Sequence, residues 1–388
     1  MRSGWAVLGS ARNRLNLAGS VAAVAGMACL FLVGGSRGCQ WAGRPLPKSR
    51  VAGMSMAPGV VDGETVVWSP VRNLSSALLT RIVCRGPNDV WAVKRLIAIG
   101  PTRVWCRAGD LSVAGRRLEK SPPELAEVAT LITSKPESWT AASSAWRQSG
   151  RDWQWSGHAN GRVDWLTLTR SGTGHHRSPP AGIFYDDSPW LENERRRLEI
   201  VKDVGLTAVV EVNAASRSTS ELVLQVGRQA ARLRLRGGGR LACVAGLLDG
   251  RFVIAAWPLP IGADGVPLSA KNLLGAGRQL FPVELPDRWQ QAVPIQEVAQ
   301  PLPIQIGVRT LDAPAEFTLS RLLIWRDVHW LPHGAQACWN VPQGHVFVLG
   351  DCPAASRDSR QWGPLPAAMV VGRVVAAEGV SINVNESD

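Results

Sequence analysis

From Val51 onward the apolar residues of this 388-residue chain come in short runs cut by glycine, proline and aspartate, and this cadence restricts the fold more than any other feature. The runs Glu64–Trp68, Arg81–Cys84 and Leu111–Ala114 read as strands, as do Asp164–Thr169, Ala208–Val212, Glu221–Val226, Ala231–Arg236 and Phe317–Trp325. Val90–Ile99 is longer and nearly all apolar, which predicts a strand buried on both faces. Gly237–Gly239 and Asp249–Gly250 sit between strand-like runs and predict hairpin turns. The one helical pattern past Val51 is Pro123–Ser134. The fold class expected is therefore mainly β.

The style changes twice along the chain. Residues 51–120 and 333–388 share one pattern of strands and tight turns. Residues 121–332 carry many short strands at regular spacing, with scattered tryptophan, and predict an inserted β-sandwich-like domain. Ahead of these lie a Gly/Pro/basic linker, 36–50, and an uncharged stretch, Leu15–Gly35, preceded by a short basic tail, 1–14. About 20 apolar residues cross a bilayer as a helix, so 15–35 predicts a transmembrane anchor, with a cleaved secretory signal as the rival reading. Arginines on both sides leave its orientation open by charge alone.

The net charge of +12 suits anionic lipid or nucleic acid, but no run of five or more Lys/Arg supplies a nucleic-acid arm. Seven cysteines without a CxxC pair support neither a zinc site nor a redox motif. His175–His176 and Asp186–Asp187 lack metal-ligand spacing and read as loop residues. Arg232, Arg234 and Arg236 alternate with leucines, placing three arginines on one strand face: a solvated face, or a contact for anionic lipid or glycan.

Three segments carry possible chemistry. Ser55 lies in Gly53-Met54-Ser55-Met56-Ala57-Pro58, a turn residue or a nucleophile. Lys94 sits in the apolar strand Val90–Ile99 on the face of Val90, Ala92 and Leu96, opposite Arg95. An apolar setting disfavours the ammonium, and a neutral amine can take a proton from a serine hydroxyl, which an arginine cannot. The third segment, Gly350–Arg360 followed by Trp362-Gly363, is either a polar loop with a surface ion pair or a loop that orients the base.

Taken together, these motifs resemble the type I signal peptidase family, the serine–lysine proteases that include bacterial leader peptidases. The resemblance rests on the N-terminal apolar segment, the 53–58 box, the acidic-Gly turn and strand at 62–68, Val93-Lys94-Arg95, Gly109-Asp110-Leu111 through Gly115, Gly350-Asp351 with Asp358-Ser359-Arg360 and Trp362-Gly363, and the closing Val371–Val374. It implies an antiparallel β catalytic core of 51–120 and 333–388, Ser55 as nucleophile and Lys94 as general base. It implies that Ser356 hydrogen-bonds and orients the lysine, and that Asp358 and Arg360 brace the loop. The residue two before the nucleophile, a hydroxyl donor in some members, is Gly53 here. Cys352 stands where asparagine is usual, and Gly100-Pro101-Thr102 departs from the common Pro-Gly-acid turn. Met54 and Met56 are candidate substrate contacts or core residues. The partners implied are signal peptides of secreted preproteins and membrane lipid, with no nucleic acid, metal or organic cofactor. The location implied is the cytoplasmic membrane, single-pass, with the catalytic domain outside and 1–14 inside. Two rival functions are a membrane-anchored binding protein with a lectin-like sandwich and an inactive core, and a self-cleaving repressor-type protease, which the apolar N-terminus disfavours.

Overall fold

A computed structural model describes residues 40–41, 44–133, 135–157, 161–169, 180–188, 190–191, 196–212, 219–236, 238–259, 286–296, 298, 300–378. The expected anchor, 15–35, the tail before it, most of the linker's first residues and His175–His176 lie outside them. Among the described residues no helix is long and apolar enough to cross a membrane.

The molecule is mainly β. A seven-stranded antiparallel sheet runs in the order Leu365–Pro366, His345–Leu349, Trp91–Ile99, Arg81–Arg85, Val370–Glu378, Thr65–Pro70, Lys48–Arg50. Its strands thus come from both ends of the described chain. Alternation divides it cleanly: Ile82, Cys84, Leu96, Val346 and Val348 form one buried cluster. Val66, Val83 and Val374 form another with Met56 and Val60. A four-stranded sheet, Cys338–Val341, Thr102–Arg107, Asp110–Val113, Arg116–Arg117, packs Val104, Cys106, Leu111, Trp339 and Val341 against Ile97, Phe347 and Leu349.

Burial on both faces of the long strand holds for Lys94–Ala98 but not for its start. Val90 and Trp91 are 62% and 49% exposed, because the strand outruns its apolar cover there. Trp91 is instead flanked by the Trp68 ring at 6.2 Å and by the Arg85 guanidinium at 5.2 Å.

The helix covers Pro122–Val128, shorter than the sequence pattern. Ser121 opens it, donating through both its N–H and its hydroxyl to Glu124. The chain then turns extended at Ala129, and Thr130–Thr133 pairs with the long strand Ala315–Arg326. The threonines and Ile132 are β-branched, and a free strand edge wins over helical continuation.

Strands between Thr130 and Arg326 build an eight-stranded and a five-stranded sheet. Leu206, Ala208, Val210 and Val212 of the larger share one buried cluster with Leu222, Leu224, Ile304 and Ile306 of the smaller. Asp249-Gly250 is a hairpin turn as expected, with Leu248 opposite Arg251 and positive φ at both turn residues. The Gly237–Gly239 expectation is corrected. Gln229–Arg236 belongs to the five-stranded sheet and Arg240–Leu248 to the eight-stranded one, so the chain crosses between layers there. Small residues serve a crossing as well as a turn. The true partner of Gln229–Arg236 is Thr219–Val226, joined through Gly227-Arg228.

Candidate active site

Lys94 sits on the Trp91–Ile99 strand opposite Ile82 and is 4% exposed. Its Nζ lies 2.8 Å from Ser55 Oγ. Burial lowers the lysine pKa, with Asp358 foremost among the charges opposing that shift. The neighbouring Cys84 thiol is pushed up to about 11 by burial, so it stays protonated although the Lys94 charge pulls the other way.

Ser55 is presented by a tight turn. Ala57 N–H donates to the Met54 carbonyl at 3.1 Å and Val60 N–H to Met56 at 2.9 Å. Gly53 enters that turn at φ +85°, where no clash but the backbone conformation itself disfavours a side chain. Its N–H donates to Asp62 Oδ1 at 2.6 Å, so the acidic turn fixes the approach to Ser55.

The Gly350–Trp362 loop closes the site from the other side. Cys352 N–H donates to the Ser55 carbonyl at 3.0 Å. Asp351 receives both Nε and Nη2 of Arg95 at 2.7 Å, and Arg81 Nε lies 3.4 Å from it. Arg95 also reaches Glu127 at 3.0 Å, and Arg81 donates to the Glu127 carbonyl at 2.7 Å. Asp358 takes two bonds of 2.8 Å from Arg360 and accepts from Gly350 N–H at 3.0 Å. Arg360 further ties down the Leu331 and Pro353 carbonyls, each at 3.0 Å. Asp358 is wholly buried and Arg360 nearly so, which sets this pair apart from a surface ion pair. The Trp362 ring centre stands 6.0 Å from Lys94 Nζ.

Two expected roles need correction. Ser356 is buried beside Gly350, but its Oγ makes no hydrogen bond among the described residues, so the orienting bond to Lys94 is not made. The lysine amine is directed at Ser55 instead. Met56 has no exposed surface; it packs with Val60, Val66 and Val83 in the core and offers nothing to a ligand. Met54 is half-buried beside Ser55.

Sequence reasoning missed Arg81, Glu127 and Asp351 as parts of one ion network. The available signal was a charge inside each of two apolar strands, Arg81 and Arg95, since such charges are buried only when paired.

Elsewhere, Arg232, Arg234 and Arg309 gather around Glu221, at 3.4, 3.6 and 2.6 Å, so the arginine face is partly neutralised from within. Among the described residues, the carboxylates close enough to share a cation are those of Asp110, Asp203 and Asp249. The Lys120 ammonium already stands there, 2.7 Å from both Asp249 and Asp327.

Residues 328–377 match the family described as signal peptidase, peptidase S26. The chain is 57% identical over 35 residues to the mitochondrial ATP-independent inner membrane protease subunit 1b of Arabidopsis thaliana, covering 9% of this chain and 21% of that protein. It is 60% identical over 35 residues to thylakoidal processing peptidase 1 of the same plant, covering 9% and 10%. It is 49% identical over 37 residues to mitochondrial inner membrane protease subunit 1 of Saccharomyces cerevisiae, covering 10% and 20%. The matched stretches span between a tenth and about a fifth of these relatives.

Proposed function

We propose that the chain, whose residues 328–377 match the signal peptidase family, is a type I signal peptidase: a serine endopeptidase that removes signal peptides from exported preproteins. The observation that carries this reading is the 2.8 Å approach of a buried lysine amine to Ser55 Oγ. In its neutral form Lys94 accepts the hydroxyl proton as Ser55 Oγ bonds to the scissile carbonyl carbon. The same proton then passes from the Lys94 ammonium to the leaving amine as the peptide bond breaks. Lys94, neutral again, takes a proton from water, which attacks the acyl-enzyme and restores Ser55. The Ser55 backbone N–H is one donor for the oxyanion. Arg81, Arg95 and Asp351, with Asp358 and Arg360, hold the two halves of the site at this spacing.

Around this chemistry we place a core of 51–120 and 333–388, an inserted sandwich of 121–332, and an anchor at 15–35 that leaves 1–14 in the cytoplasm. The linker 36–50 then keeps Ser55 near the outer membrane surface, where a signal peptide presents its cleavage site. The test uses the full chain in detergent with a preprotein bearing an Ala-x-Ala site. Wild type cleaves after the second alanine, and Ser55→Ala and Lys94→Ala each lower the rate by roughly four orders of magnitude or more. A folded wild type that leaves several such preproteins intact refutes the proposal.

A further inference from the structure

An apolar cluster lies directly beside the site and draws on the sandwich region as well as on the core. Ala57, Val61 and Cys352 are buried at its centre, and Met54, Ala355, Trp190 and Leu191 surround them half-exposed. Met54 precedes Ser55 in the chain, Ala355 precedes Ser356, and Cys352 N–H holds the Ser55 carbonyl. Trp190 and Leu191 come instead from the segment after Phe184, between the strands Asp164–Leu168 and Val204–Val212. Asp186, Ser188 and Trp190 of this segment line a small cavity of about 20 Å³, room for roughly one water, together with Ala57 and the Asp351–Ala354 loop.

The segment is anchored on both sides of its aromatic residue. Asp186 accepts from Glu199 N–H at 2.7 Å, and Arg196 bonds both its carboxylate and its carbonyl. Arg326, buried at the end of the Ala315–Arg326 strand, donates to the Asp187 carbonyl. Ser188 Oγ lies 3.7 Å from Cys352 Sγ, and Leu191 N–H closes a turn on the Ser188 carbonyl at 3.0 Å. Ordering a large aromatic in the cluster that holds Met54 and Cys352, the residues next to and bonded to Ser55, while leaving it half-exposed forgoes part of its burial energy. Such a residue is suited to covering an apolar side chain of a bound peptide.

We propose that Trp190 and Leu191 form, with Met54, an apolar wall of the substrate channel that limits the side-chain volume accepted next to the scissile bond. The inference rests on the peptidase reading above. It assigns to the region outside the catalytic core a part in substrate choice: peptides with small apolar residues at the wall pass, and branched or aromatic ones are turned away.

The experiment measures kcat/KM of the full-length protein on preproteins carrying alanine or leucine at each of the positions one and three before the cut and one after it. Trp190→Ala should raise the leucine-to-alanine ratio at one of these positions by about tenfold or more, because an aromatic-sized space admits the extra methylenes. Leu191→Ala should raise it less, and Trp190→Phe, which retains most of the packing, less than Trp190→Ala. A ratio unchanged in all three variants, with alanine substrates still cleaved, overturns the wall and leaves the peptidase reading standing. Loss of cleavage of the alanine substrate by a variant that melts like wild type also overturns it, since a wall governs choice and not chemistry. If wild type yields no Ser55-dependent product from any substrate, the peptidase reading falls and this proposal with it.

Discussion

The position of one proton decides what Lys94 can do. Burial favours its neutral amine, and the Asp358 carboxylate, whose charge is shared with Arg360, opposes this only in part. As a base, Lys94 must be unprotonated, so kcat/KM should rise with pH along a limb whose midpoint lies below the ordinary lysine value of about 10.4. A steady-state pH profile checks this, and a limb at or above that value would contradict it. The same shift acts on stability. The unfolded lysine binds its proton more tightly than the folded one, so stability is present above the unfolded pKa and is lost as pH falls through the window down to the lowered folded pKa. Lys94→Arg should be inactive at every pH, because a guanidinium stays charged in this range. That Ser55 and Lys94 come together was expected from the resemblance of their two boxes, and for Lys94 also from its place within an apolar strand. That the Ser356 hydroxyl makes no hydrogen bond among the described residues was not legible, since a loop's hydrogen bonds depend on how it folds back over Gly350.

At the scale of elements, the site is held by charges buried between strands that are remote in sequence. Asp351 joins the loop after His345–Leu349 to Arg95 on the adjacent strand Trp91–Ile99 and to Arg81 on the central strand beyond it. Removing that carboxylate takes away the counter-ion shared by two buried guanidiniums, leaving Glu127 beside them. Asp351→Ala should therefore destabilise the protein by about 3–5 kcal/mol, while the exposed pair Arg85–Asp89 should contribute less than about 1 kcal/mol. Thermal melting of Asp351→Ala beside Asp89→Ala makes the comparison, and equal losses would contradict it. The strands themselves were readable from alternation and β-branched runs. What alternation does not encode is which sheet a strand joins. The glycines after Arg236 therefore suggested a hairpin where the chain changes layers, and the helical pattern past Pro123 ran on where Thr130 finds a strand partner.

At the scale of the whole molecule, the two sets of sheets meet at a group of charges. Asp110 comes from the four-stranded sheet, Lys120 precedes the helix, and Asp203, Asp249 and Asp327 stand at strand ends of the eight-stranded sheet. The sequence offered no sign of this group, because its members are scattered over more than two hundred residues and each alone looks like a turn residue. Lys120 is bonded to Asp249 and Asp327; burial works against its charge, but these two carboxylates outweigh it and raise its pKa. One ammonium does not offset four carboxylates, and Arg117 reaches only Asp110, at 3.6 Å. Desolvation first, and then the neighbouring carboxylates Asp110, Asp249 and Asp327, raise Asp203 well above the usual range, while Asp327 is raised to about 6 by burial and Asp249. A carboxyl raised in the folded state contributes stability that is fully present below its unfolded pKa of about 3.9 and is lost as pH rises through the folded value. His329, which with Asp110 and Asp203 lines a cavity of about 210 Å³, has its pKa lowered by burial, so its contribution to stability runs the other way and is lost as pH falls below its unfolded pKa. Asparagine at 203 mimics the protonated acid and can still accept the Asp249 N–H bond of 3.0 Å. Asp203→Asn should therefore raise the melting temperature at pH 8 and leave it nearly unchanged at pH 4, as read by calorimetry at the two pH values. A variant that melts below wild type at pH 8 would show that the Asp203 charge holds this joint together instead of straining it.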